Sequence, residues 1–162
     1  LLKHYVYSVI IQHEDMHTKN LSLIYDKDLV FFAPLYDVSC TGIYDTSKGY
    51  DTHLTINGKQ SNIRPNDFKP LCKILKIDFK EFKEEAFKIA KLYETELPSY
   101  IEEIKALGSI SFYKKKQKAR IGEGAYLKVS KIPIEFHELL SKFHKERVEH
   151  LKALGWIINE SL

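Results

Sequence analysis

The sequence has 162 residues, of which 44% are hydrophobic and 29% charged, and this is the profile of a single globular domain rather than a disordered chain. A formal net charge of +3 is too small to indicate direct nucleic-acid binding. No apolar run approaches the roughly 20 residues that span a bilayer, so no membrane role is expected. The two cysteines, Cys40 and Cys72, lack metal-ligand spacing and predict a reducing compartment, the cytoplasm.

The first third of the chain predicts a helix, a polar loop and a hairpin. Apolar side chains recur at helical spacing over residues 1–11, and the polar run 13–20 interrupts this pattern. Two short β-prone runs, 21–25 and 29–33, follow and flank a polar turn, which indicates a small hairpin. Pro34 then ends the second strand.

The rest of the chain predicts a long loop and then helices. Residues 40–64 are rich in Thr, Gly, Asp and Asn, with one brief strand expected over 54–56 and a basic, glycine-interrupted connection over 113–131. The expected helix starts are, in chain order, Asn66 or Asp67, Asp78, Pro98 and about Ile134. We therefore predict a mainly α fold, a helical lobe with a small β-hairpin near the N-terminus, divided into a segment 1–64 and a helical subdomain 65–162.

Three polar residues in the first segment have the spacing of a phosphoryl-transfer site. In protein kinases, an Asp of the catalytic loop accepts the proton of the substrate hydroxyl, and an Asn five residues later holds a magnesium ion. Asp15 and Asn20 have this spacing, and Asp37 follows the predicted hairpin, where a second metal-binding acid is required. Each residue alone is typical of a cap or a turn, but the three together favour a kinase site.

The residues around this triad carry a family resemblance. Residues 15–22 (DMHTKNLS) and 33–38 (APLYDV) resemble the HipA family of bacterial toxin serine/threonine protein kinases, in the C-terminal lobe that holds the catalytic loop. The stretch 54–59 (LTINGK) is similar to another part of these proteins. The resemblance covers residues 1–59, and beyond them only the helical pattern agrees.

The resemblance implies roles, cofactors and partners. It implies ATP and Mg²⁺ as cofactors, Asp15 as the catalytic base, and Asn20 and Asp37 as the metal ligands. The residues that it places near the nucleotide are His17, Thr18, Lys19 and Asn20. The implied partners are an antitoxin, an N-terminal kinase lobe and a protein substrate such as an aminoacyl-tRNA synthetase.

The chain also departs from a complete kinase pattern. No glycine-rich phosphate loop and no strand lysine precede the catalytic loop. We therefore expect the N-terminal lobe to be absent from this chain and the isolated chain to be inactive. Glu14 stands where many kinases have an arginine that pairs with a phosphorylated activation loop, so control by that pair is not expected.

Two other functions compete with the kinase interpretation. Residues 13–17 match the H-E-x-x-H pattern of zinc peptidases, which needs His13 and His17 on one face of a continuous helix. The polar run and the hairpin leave no room for that helix, so this alternative is disfavoured. The other alternative is a non-catalytic helical module that docks an antitoxin or an N-terminal partner. A module without catalysis has no physical need for Asp15, Asn20 and Asp37, which favours the enzyme.

Overall fold

The computed structural model describes residues 1–44, 46–116 and 130–158. In this part of the chain the helices are α1 (Leu2–Ile11), α2 (Lys69–Ile74), α3 (Phe79–Ala106) and α4 (Phe136–Leu154). The strands are β1 (Leu23–Asp26), β2 (Leu29–Phe32), β3 (Ser111–Lys116) and β4 (Ser130–Glu135). Three short 3-10 helices span Thr18–Asn20, Thr41–Ile43 and Pro65–Phe68. The mainly helical fold with a hairpin near the N-terminus is confirmed. None of the described helices is long and apolar enough to cross a membrane.

The strands form two separate antiparallel hairpins. In the first, Leu23 pairs with Phe32 and Tyr25 with Val30. Every residue of β1 and β2 is exposed to solvent, so this hairpin contributes nothing to the core. In the second, β3 pairs with β4, and Ser111 lies opposite Glu135 at the start of α4.

The main hydrophobic core joins the start of the chain to its last helix. Phe68 stacks on Phe82 with ring centroids 5.1 Å apart and meets Trp156 edge-on at 5.9 Å. The Trp156 indole donates a hydrogen bond of 2.7 Å to the Ile63 carbonyl, which satisfies the polar atom of a fully buried ring. A smaller cluster between α3, α4 and the turn Thr41–Ile43 is centred on Ile43, Ile101 and Leu140.

The helix starts and stops are only partly those predicted. Asp78 caps α3, because its side chain accepts a hydrogen bond from the Glu81 amide, and Gly155 ends α4 in a left-handed conformation. The helix start at Pro98 is wrong, since α3 runs through this residue without a break. Proline removes one helical hydrogen bond, but buried Ala90 and Ile101 on either side hold both halves of the helix against the core.

Two loop predictions are also corrected. Residues 54–56 do not form a strand; only an isolated bridge joins Ile56 to Lys59, around a turn in which Asn57 and Gly58 both have positive φ. The connection 113–131 overlaps the second hairpin, whose strands the sequence analysis missed. Residues 117–129 of that connection lie outside the described part of the chain.

A buried arginine connects distant parts of this fold. Arg147 of α4 lies 2.8 Å from Asp51, and the two side chains are 5% and 3% exposed. Its Nε donates a 3.0 Å hydrogen bond to the Ile10 carbonyl, and its Nη2 also donates to the Val9 carbonyl. The Asp51 carboxylate in turn accepts a 2.9 Å hydrogen bond from the Ile63 amide. The end of α1, the loop before α2 and the middle of α4 therefore share one charged centre.

We predict that Arg147→Met lowers the free energy of unfolding by about 3–5 kcal/mol, because it leaves Asp51 charged, buried and unpaired. Urea denaturation measures this change. The control is Lys142→Met, which removes an exposed pair with Glu146 at 3.9 Å and is expected to change the free energy by less than about 1 kcal/mol. Equal effects of the two substitutions would contradict the role assigned to Arg147.

Candidate active site

The polar run begins where α1 ends. Gln12 has a φ of 58°, a left-handed conformation that stops the helix, and the His13 amide turns back to donate a 2.9 Å hydrogen bond to the Ser8 carbonyl. His13 and His17 therefore do not lie on one continuous helix. No group of three His, Cys, Asp or Glu side chains in the described ranges is arranged to hold a metal ion. The geometry of a zinc peptidase is not present in these residues.

Asn20 and Asp37 are brought into direct contact. The Asn20 Nδ2 donates a hydrogen bond of 2.8 Å to the Asp37 Oδ2 and one of 3.3 Å to the Asp37 carbonyl. Asn20 is buried, and its Oδ1 has no hydrogen-bond partner among the described residues. A buried carbonyl oxygen without a partner is costly, and beside a carboxylate it is a suitable ligand for a hard cation. These two residues therefore fit a magnesium ion.

The backbone places Asp37 at the end of a short connection after β2. Its φ of 52° lies in the left-handed region, which is uncommon for a residue with a side chain but tolerated best by Asn and Asp. Tyr36 fixes the connection, since its hydroxyl donates a 2.7 Å hydrogen bond to the Lys19 carbonyl and lies 2.7 Å from the Ser22 hydroxyl. The hairpin thus returns the chain to the loop that carries Asn20.

The other predicted site residues lie on the stretch of chain that leads to Asn20. Asp15 is exposed, while His17 is half-buried and precedes a 3-10 turn in which Thr18 and Lys19 are both exposed. Asn20 closes this turn, because its backbone amide donates a 3.0 Å hydrogen bond to the His17 carbonyl. The structure brings Asn20 together with Asp37 and leaves Thr18 and Lys19 open to solvent. The roles in catalysis and nucleotide binding stay predictions.

His13 is buried close to the carboxylates of Asp15 and Asp37. Its ring is buried, and desolvation lowers its pKa, whereas the charges of Asp15 and Asp37 act in the opposite direction. His4 is buried close by, and its pKa is lowered first by desolvation and then by the charge of His13. Both imidazoles are consequently neutral at neutral pH, and their ring nitrogens have no hydrogen-bond partner among the described residues.

The sequence analysis missed what Glu14 does. Its carboxylate accepts hydrogen bonds from the segment 47–50, and its own amide donates a 2.7 Å hydrogen bond to the Thr41 hydroxyl. An open hollow of about 560 Å³ lies between Asp15 and this segment. Nothing in the spacing of the sequence indicates these contacts, because they join positions more than 25 residues apart.

The comparison with protein families identifies the family of this chain. The profile of the HipA-like C-terminal domain matches residues 1–109, about two thirds of the chain. The chain belongs to this family. The resemblance to the HipA family that the motifs indicate is therefore confirmed, and the match extends it from the polar run 13–20 through α2 and α3. No curated protein matches the sequence.

We predict that the protein loses stability in mild acid. Burial lowers the pKa of His4, His13, His144 and His150, so below about pH 6.5 the unfolded chain binds protons that the folded chain does not. The free energy of unfolding, measured in urea, should fall between pH 7.5 and 5.5. His144→Gln should reduce this slope, whereas His53→Gln, at an exposed position, should not. A constant free energy over this range would contradict the prediction.

Proposed function

We propose that this chain is the catalytic C-terminal lobe of an ATP- and magnesium-dependent protein serine/threonine kinase of a toxin–antitoxin system. The observation that carries the proposal is the contact between Asn20 and Asp37, with the unpartnered Asn20 Oδ1 beside a carboxylate. Membership of the HipA-like C-terminal domain family supports it. We also propose an antitoxin as a partner and a protein hydroxyl as the acceptor, with an aminoacyl-tRNA synthetase as one candidate protein.

In this proposal each residue has a separate task. Asp15, exposed at the edge of the hollow, accepts the proton of the acceptor hydroxyl as that oxygen bonds to the γ-phosphorus of ATP, and the bond from this phosphorus to the β,γ-bridging oxygen breaks to release ADP. Asn20 and Asp37 would hold magnesium, which would offset the charge of the phosphates. Asn20 also orients the Asp37 carboxylate through its Nδ2. His17, Thr18 and Lys19 lie at the same turn, where Lys19 can offer a cation to the phosphates.

The exposed hairpin is evidence that a second lobe completes the site. The side chains of Leu23, Val30 and Phe32 are 48%, 57% and 50% exposed. Because a two-stranded hairpin in water has little stability of its own, we expect another part of the protein to cover these side chains. A small crevice next to the hairpin is lined by His4, Asn20, Phe32 of β2 and the connection 33–35. We propose that an N-terminal lobe covers this apolar surface and encloses the nucleotide between itself and Asn20. The non-catalytic docking module would use the same surface, but it gives no reason for the Asn20–Asp37 contact.

Asp15→Asn tests the catalytic assignment in the enzyme assembled with its N-terminal lobe. We expect turnover to fall about 10²–10⁴-fold, the usual contribution of a positioned general base. The ATP dissociation constant should change little, because Asp15 addresses the acceptor. Phosphoryl transfer is measured with radiolabelled ATP and binding by calorimetry. Turnover within a few-fold of the wild type would show that Asp15 is not the base.

The 162-residue chain alone is expected to fold cooperatively but to bind nucleotide weakly. Asn20 and Asp37 form only one wall of the site, so calorimetry with Mg²⁺ and ATP should give a dissociation constant near the millimolar level, about −4 kcal/mol. Addition of the N-terminal lobe, in cis or as a separate chain, should restore tight binding and phosphoryl transfer. Micromolar affinity or autophosphorylation of the isolated chain would contradict this prediction.

A further inference from the structure

The carboxylate of Glu14 lies inside a ring of hydrogen-bond donors from the segment 47–50. The Ser47 hydroxyl lies 2.5 Å from Oε1, and the Lys48 amide lies 2.9 Å from Oε2. The amides of Gly49 and Tyr50 approach Oε1 at 2.8 and 3.1 Å. One side chain therefore fixes four consecutive residues that lie more than 30 positions away.

The segment is shaped to receive an anion. Successive backbone amides point to one site when the chain alternates between right- and left-handed conformations, and such a nest binds anionic groups. Gly49 provides the left-handed residue, with a φ of 78°. Burial acts to raise the pKa of Glu14, but the hydrogen bonds from Ser47, Lys48 and Gly49 outweigh it and lower this pKa. Glu14 is thus ionised at neutral pH, and its hydrogen bonds are of the stronger, charge-assisted type.

The same short stretch of chain carries both Glu14 and Asp15. The Glu14 amide donates to the Thr41 hydroxyl at 2.7 Å, and that hydroxyl donates to the Gln12 carbonyl at 2.8 Å. Asp15 is therefore fixed relative to the segment 47–50 through adjacent residues. The hollow of about 560 Å³ has Asp15 on one side and Ser47, Lys48 and Tyr50 of this segment on the other.

We propose that Glu14 is a positioning residue that holds the segment 47–50 as the wall of an acceptor site next to Asp15. The ligand of this site is an extended protein segment that presents a serine or threonine hydroxyl to Asp15. The wall offers Lys48 to a carboxylate or carbonyl of that segment, and the half-exposed Tyr50 ring to its side chains. Glu14 holds this segment through the Ser47 hydroxyl and the backbone amides of residues 48–50, so the wall is formed without a phosphorylated residue. The inference rests on the proposed kinase function.

Hydrogen exchange on the 162-residue chain tests the first half of the proposal without any need for activity. Glu14→Gln keeps the shape of the side chain but removes its charge and turns an NH₂ group toward donors. The amides of Lys48, Gly49 and Tyr50 should exchange about tenfold faster or more, the effect of losing roughly 1.4 kcal/mol of local stability. The Ile63 amide, which donates to Asp51, should stay protected and so report an intact fold. Unchanged exchange at residues 48–50 would show that Glu14 does not hold this segment.

Steady-state kinetics on the enzyme assembled with its N-terminal lobe test the second half. The probes are dephosphorylated casein as a generic acceptor, and water as the acceptor in ATP hydrolysis. Glu14→Gln should raise the KM for casein about fivefold or more, while the KM for ATP and the rate of hydrolysis change less than about twofold. The matched control is Glu103→Gln, at an exposed position of α3, which should change neither.

The outcomes separate this inference from the proposed function. If hydrolysis is present and depends on Asp15 but Glu14→Gln leaves the casein KM unchanged, the acceptor wall is wrong and the kinase function stands. If hydrolysis depends on Asp15 and the wild type transfers no phosphate to casein, the protein-acceptor assignment of the hollow is wrong. If the assembled wild type neither hydrolyses ATP nor phosphorylates casein, the proposed function fails, while the exchange data still decide whether Glu14 holds the segment.

Discussion

The buried ion pair between Arg147 and Asp51 is the constraint on which the arrangement of this lobe depends. Two charges removed from water are stable only if each has close partners, and Arg147 meets this demand with Asp51 and with the carbonyl groups of Val9 and Ile10. Those carbonyls are at the C-terminus of α1, where a helix leaves acceptors unsatisfied and carries partial negative charge. The guanidinium therefore caps the C-terminus of α1 and orients α4 with the same atoms.

The candidate site inherits its geometry from this centre. The residues after Ile11 leave the helix at a fixed point, and Gln12 turns the chain toward Thr41. Asp51 anchors the far end of the loop whose nearer part, residues 47–50, is held by Glu14. The loop is thus tied at both ends to groups that also determine where the polar run 13–20 begins. The buried Arg147–Asp51 pair and the exposed segment 47–50 are therefore linked through one continuous loop.

Local patterns in the sequence were sufficient for some of this structure. The hairpin follows from two β-prone runs around a polar turn, and the contact of Asn20 with Asp37 follows from a motif whose members the hairpin brings back together. The helix start at Asp78 and the helix end at Gly155 also depend on neighbouring residues only. These features were predictable because the interactions that produce them span few residues.

Other features depend on distant residues and were not predictable from one sequence. Pro98 is a reasonable helix start by propensity, but packing on both sides of it keeps α3 continuous. Arg147 and Asp51 are 96 positions apart, and no periodicity relates them. Glu14 was noted because it lies in the H-E-x-x-H match and stands where many kinases have an arginine, and neither observation indicates its contacts with the segment 47–50. Its partners are mainly backbone amides, which every residue except proline possesses, so no sequence pattern marks them.

The first hairpin also affects how copies of this chain interact in solution. Each of its two strands has one edge with no neighbour among the described residues, and the side chains of β1 and β2 are exposed on both faces. Free edges of apolar strands pair with those of other copies unless charge, proline or a covering element blocks them. Asp26 at the turn is the one charged residue within these two strands, so it offers little protection. We therefore expect self-association of this chain that increases with protein concentration, and we expect a charged substitution on β2 to reduce it.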